Sequence, residues 1–127
     1  MFGPIPYCKK DGILSPGEQR GGGVATATFN LARSLVEKGV EVKIIVPSLE
    51  NFRGGIHGIQ VVLMKEFQAN FKNNLKIMGT LKSPLAFKKF KKIFYNIIEK
   101  EEPDIFHTQM GTSSVGPALA ANEYGIP

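Results

Sequence analysis

GGGVATATFNLARSLVEKGVEVKIIVP, residues Gly21 to Pro47, is the stretch whose reading decides the fold. From Val24 to Lys38, the residues Val24, Thr28 (by its methyl), Leu31 and Leu35 recur with Ala25, Ala32 and Val36 at spacings of three and four. That spacing makes one apolar stripe of an α-helix. Gly39 ends the helix, with Lys38 in the last turn where the dipole favours a cation. Val40 to Val46 then alternates and runs apolar, as a strand entering a buried sheet does, and Pro47 stops it. Glycine loop, helix, glycine cap and strand are the wiring of a parallel α/β layer. The junction at Gly21, Gly22 and Gly23 also carries chemistry. It has no Cβ to block a ligand, and the helix that follows offers unpaired N–H groups and the positive end of its dipole. Such a junction can hold an anion such as a phosphate, but it does not identify the ligand.

The 127 residues suffice for one domain with a modest core. An apolar fraction of 43% with 21% charged residues excludes a disordered or fibrous chain. No run approaches the roughly 20 apolar residues of a membrane span. The first residues do not read as a signal peptide, so the expected location is cytoplasmic. Cys8, the single cysteine, cannot form an internal disulfide. The net charge of +5 is uneven: nine lysines against Glu66 and Glu99 give Lys65–Lys100 a charge of +7, and the remainder carries −2. A chain basic in one region only is not expected to bind nucleic acid.

Along the chain, Met1 to Arg20 reads as loop, broken by Pro4, Pro6, Gly12, Pro16 and Gly17. Ser48 to Gly58 reads as a second loop, and Ile59–Met64 as a strand. Phe67 to Leu81 is read as a helix. Ser83 and Pro84 start another helix as N-cap and first residue, running to Lys100 with Phe87, Phe90, Phe94, Ile97 and Ile98 on one face. Its other face carries Lys88, Lys89 and Lys92. Asp104 to Thr108 is expected to be a short strand, and Ser114 to Tyr124 a last helix closed by Gly125.

Two blocks of residues resemble a known family. Gly22-Gly23-Val24, Asn30-Leu31-Ala32, Leu35, Lys38 to Val42 and Val46-Pro47 form the first. Glu102 to His107, Gly116, Ala118, Ala120-Ala121 and Gly125-Ile126-Pro127 form the second. Both resemble the N-terminal domain of GT-B glycosyltransferases of the retaining group called family four. Residues 48–101 carry no part of the resemblance.

The resemblance implies an α/β fold: a Rossmann-like, three-layer parallel sheet in a single domain spanning 1–127. Residues 1–20 would be a loop with the remnant of a first strand, and 21–127 the α/β core. Met1 to Ile5 resembles only the tail of that strand, and the chain ends at Gly125-Ile126-Pro127, where a further strand is expected to begin. The second and fourth strands would then lack their common neighbour, and the chain alone is expected to be marginally stable, without a cooperative transition well above ~60 °C.

The resemblance further implies the acceptor-binding half of a hexosyl-type transferase whose donor substrate is a nucleotide-sugar and whose acceptor is a glycan or lipid. No metal or organic cofactor is expected. A C-terminal donor-binding domain, absent from these residues, would stabilise the diphosphate leaving group, so the chain alone is expected to be inactive. The rival readings are a non-catalytic peripheral membrane module and a small phosphate-ligand-binding α/β module.

The expected site residues follow. Gly21, Gly22 and Gly23 would line the cleft near substrate phosphates; the bland reading is a tight turn. The order Gly21 to Thr26 puts Thr where a dinucleotide fingerprint needs its third glycine, so NAD is not expected. His107, at the carboxyl end of a strand, would be the catalytic or acceptor-contact residue, against a strand-end histidine satisfied by a local carbonyl; imidazole suits proton exchange at neutral pH. Family members often carry a second histidine where this chain has Gln109, a neutral amide. Gln109, Gly111, Thr112 and Ser113 would form a further substrate- or phosphate-binding edge; the last three also suit an N-cap cluster. His57 reads as a loop residue, and two isolated histidines do not make a metal site. Lys88, Lys89 and Lys92 would face an anionic inner membrane surface, or simply water.

Overall fold

The computed structural model describes residues 1–17, 22–65, 84–109 and 115–127, with the backbone alone for 84–90. The elements are β1 (Tyr7–Lys10), β2 (Ile13–Pro16), α1 (Gly22–Glu37), β3 (Lys43–Pro47), β4 (Phe52–Ile56), β5 (Ile59–Met64), α2 (Pro84–Glu101) and α3 (Val115–Glu123). The helix read at Phe67–Leu81 and the caps at Ser83 and Ser114 lie outside the described residues.

β3 and β5 pair in parallel from Lys43 opposite Gln60 to Pro47 opposite Met64. Their apolar runs reflect a sheet covered on both faces. Ile44, Val46, Ile59, Val61 and Leu63 point into one core with Ala32 of α1. Ile45 and Val62 point into the other, with Phe94, Ile97, Ile98, Ala120 and Ala121 of α2 and α3. The result is a mixed α/β domain in three layers, with three helices among the described residues. Within α1 the buried residues are Ala25, Thr28 and Ala32, while Val24 and Leu31 are exposed, so the buried stripe is narrower than the sequence pattern predicts.

Both helix ends that the sequence assigns to glycine close in the same way. Val40 N donates to Leu35 O and Gly39 N to Val36 O; Ile126 N donates to Ala121 O and Gly125 N to Asn122 O. These are Schellman pairs, and they require the left-handed φ of +83° at Gly39 and +70° at Gly125.

Four expectations change. Met1 to Arg20 is not all loop, because β1 and β2 form an antiparallel hairpin whose two turn residues, Asp11 and Gly12, have φ of 50° and 76°. That is a type I′ turn, the one Asp-Gly favours. Ser48 to Gly58 likewise contains β4, antiparallel to β5 through a second such turn at His57 (φ 50°) and Gly58 (φ 78°). The sheet therefore ends in an antiparallel edge. Gly54 sits inside β4 because a Cβ there would lie 2.7 Å from the Phe52 ring and 3.1 Å from Leu14 of β2; its bare backbone lets the hairpin lie across the strand.

The third change concerns the missing neighbour. Phe2 bridges Ile45 and Thr108 at once, both in parallel. Ile45 N donates to Met1 O and Gly3 N to Ile45 O, while Phe2 N donates to His107 O and Gln109 N to Phe2 O. Three residues thus occupy the central strand position, and Phe2 is 1% exposed between Phe94 and the sheet. Fourth, Asp104–Thr108 is not a full strand. It contributes the single bridge at Thr108, and on its other side Phe106 N donates to Pro127 O.

Candidate functional site

The sheet runs β4, β5, β3, Met1–Gly3 and then the segment at Thr108. Read along the parallel members, chain order proceeds outward in one direction from Phe2 to β3 and β5, and in the other to Thr108. Order reverses at Phe2, and open α/β sheets place ligands outside the carboxyl ends of the strands at such a point.

Three segments meet there. A Cβ built on Gly3 would stand 3.1 Å from Cβ of Gln109 and 3.5 Å from Oγ1 of Thr28. Thr28 is fully buried, its hydroxyl donates to Val24 O at 2.8 Å, and its Oγ1 and methyl stand about equally close to Gly3. Thr28 lies six residues into α1, so Gly22 stands about 9 Å further along the helix axis. At the other end of α1, Val36 lies beside Gly58 in the turn that opens β5. The helix therefore runs from the carboxyl to the amino end of the sheet, and Gly22 and Gly23 project past the carboxyl end on the same side as His107 and Gln109.

Gly22 has φ +73°, which glycine adopts without strain, and among the described residues a Cβ on either Gly22 or Gly23 would meet nothing within 4 Å. Gly22, Gly23 and Val24 in the first turn of α1 are exposed. Gly21, Gly111, Thr112 and Ser113 lie outside the described residues. His107 is exposed, Gln109 is half-buried, and their Nε2 atoms are 2.8 Å apart.

The hairpin stands on the β3–β4 side of this end. Tyr7 Oη lies 3.2 Å from Ser48 Oγ, Lys9 Nζ pairs with Glu50 at 2.6 Å, and the same ammonium sits 4.4 Å over the Phe52 ring. These contacts tie the hairpin to the chain just beyond the carboxyl end of β3. Cys8 on it is exposed. His57, in contrast, lies in the β4–β5 turn at the amino end, beside Phe29.

The amino end is closed by charge. Glu101, at the end of α2, accepts from Lys43 of β3 at 2.5 Å and from Arg53 of β4 at 2.9 Å, with only 14% of its side chain exposed. Burial works to raise the Glu101 carboxyl, but the hydrogen bonds and charges of Lys43 and Arg53 outweigh it and hold it below the ordinary carboxylate range.

Sequence reasoning missed Gly3 and the placement of Thr28. A hydroxyl within an apolar stripe was the available signal at Thr28; Gly3 offered none, because its role depends on Gln109, 106 residues away. Of the lysines expected to face a membrane, Lys92 is exposed, and the side chains of Lys88 and Lys89 are outside the description. Among the described residues no helix is long and apolar enough to cross a membrane, and no three of His, Cys, Asp and Glu cluster as a metal site would need.

A glycine-led helix, a reversal of strand order and a polar pair at one carboxyl edge belong to a Rossmann-like α/β domain. The sequence profile described as Glycosyltransferase Family 4 matches residues 21–127, and the chain belongs to that family. Comparison with curated proteins and with solved structures returns no match.

Proposed function

We propose that this chain is the acceptor-side, N-terminal half of a retaining GT-B glycosyltransferase. It works with a nucleotide-sugar donor and a glycan or lipid acceptor, and with no metal or organic cofactor. The observation that carries this reading is the convergence of Gly3, Thr28 and Gln109 at the point where strand order reverses, in a chain of this family. The exposed first turn of α1 gives substrate phosphate or hydroxyl oxygens N–H donors at Gly22 and Gly23. His107 and Gln109 supply side-chain hydrogen bonds across the crevice. Gly21, Gly111, Thr112 and Ser113 complete it in this reading. A second domain supplies the donor site, so the chain alone does not turn over.

The test is a titration of the isotope-labelled chain with methyl α-glycosides of common hexoses, UDP-glucose and GDP-mannose, read at backbone amides. Shifts at Gly22, Gly23, His107 and Gln109 are expected, and no sugar transfer. Shifts confined to the His57–Gly58 turn would remove the reading, as would transfer by the chain alone.

A second reading, attachment to an anionic inner membrane surface, is favoured by the charge of +7 across Lys65–Lys100 and by exposed Lys92. Each lysine near such a surface contributes ~1 kcal/mol, screened by salt. Sedimentation with phosphatidylglycerol vesicles but not with phosphatidylcholine vesicles is the expected outcome; equal pelleting in both removes it.

A further inference from the structure

We propose that Gln109 is a positioning residue that fixes the tautomer of His107, so that the imidazole meets substrate as an N–H donor through Nδ1 and not as a base through Nε2. A carboxamide nitrogen carries hydrogens and no free lone pair, so across the 2.8 Å contact Gln109 Nε2 donates and His107 Nε2 accepts. A neutral imidazole that accepts at Nε2 keeps its proton on Nδ1. The ring is exposed, so the Nδ1–H has room for an acceptor oxygen, and a sugar hydroxyl or a phosphate oxygen fits.

The carboxamide is itself held in place. Gln109 N donates to Phe2 O at 2.9 Å, which anchors its backbone to the central strand position. Its Cβ lies 3.1 Å from where a Cβ on Gly3 would be, so the bare backbone of Gly3 makes the space Gln109 uses. The substrate role of the Nδ1–H rests on the crevice proposed above; the tautomer does not.

The experiment reads imidazole nitrogens directly, by two-bond 1H–15N spectra at pH 8. The chain has two histidines, and His57, at the opposite end of the sheet, serves as internal reference. His107 in the wild-type chain is expected mainly as the Nδ1–H form. Gln109→Ala is expected to move the tautomer ratio toward that of free imidazole by about fivefold, the size of one net hydrogen bond. Gln109→Glu, whose carboxylate only accepts, is expected to drive His107 to the Nε2–H form, with His57 unchanged throughout. A wild-type His107 in the Nε2–H form overturns the proposal, as does a ratio that all three chains share. The wild-type spectrum decides alone if a variant misfolds. Adding methyl glycosides separates the two readings: an Nδ1–H tautomer that no sugar perturbs retains Gln109 as the positioning residue and removes the substrate crevice.

Discussion

The two ends of the sheet are built on opposite plans. At the amino end, Glu101 clamps β3 and β4 to α2, and a Schellman turn at Gly39 closes α1. At the carboxyl end, the chain spends glycine and polar side chains: Gly22 and Gly23 are exposed, buried Gly3 makes room for Gln109, and Gln109 contacts the exposed His107 ring. One end is held by ion pairs, and the other, among the described residues, leaves the first turn of α1 and the His107 ring exposed. The difference teaches that the ion-paired end and the exposed glycine end are built independently, because both cores lie between them and serve each.

Breaking the shared support should have the largest effect. Phe94 is fully buried and packs edge-on against Phe2 at 4.9 Å and Phe106 at 5.5 Å, holding the central position to its outer neighbour. Phe94→Ala is expected to cost about 3–5 kcal/mol in urea unfolding, enough to unfold a marginal domain. A loss under ~1 kcal/mol would show that the Met1–Gly3 strand is held by its ladder alone.

The amino end should respond next, and with a pH signature. Because the Glu101 carboxyl titrates below its unfolded value, its contribution is present above about pH 4.5 and is lost as pH falls through the lower folded value. Glu101→Gln is expected to cost about 1–3 kcal/mol at pH 7 and to flatten the acid limb of the stability curve. An acid limb that survives unchanged in the variant would assign acid sensitivity to other carboxylates.

The smallest change in stability should come with the opposite sign at the carboxyl end. Gly23 is helical, exposed and without steric neighbours among the described residues, so Gly23→Ala is expected to stabilise the chain by roughly 0.5–1 kcal/mol. The same substitution should weaken glycoside- or nucleotide-sugar-induced shifts at His107, since the added methyl stands at the exposed first turn. Stabilisation with undiminished ligand shifts would mean that substrate does not approach this turn.

Much of the framework was legible because its causes are local. The apolar spacing of α1, the glycine stops at Gly39 and Gly125, the paired-face runs of β3 and β5 and the Phe94–Ile98 stripe all report on neighbours within a few turns. Both hairpins were obscured although Asp11-Gly12 is a hairpin signal, because Pro6, Pro16 and the Gly54-Gly55 pair read as breakers. Pro16 is tolerated as the last residue of an edge strand, and Gly54 is required by Leu14, a contact that no window of sequence contains.

By itself, the sequence determined the α/β class, the three described helices and the family, since periodicity and capping act over three to seven residues and survive without the rest of the chain. Only the tertiary structure decided that Met1–Gly3, read as no more than the tail of a first strand, pairs on both sides, that Thr28 and Gln109 close around Gly3, and that His107 contacts an amide. The first two depend on segments 25 to 106 residues apart meeting, which leaves no periodic trace in the chain; the third joins residues two apart but rests on the space Gly3 leaves for Gln109.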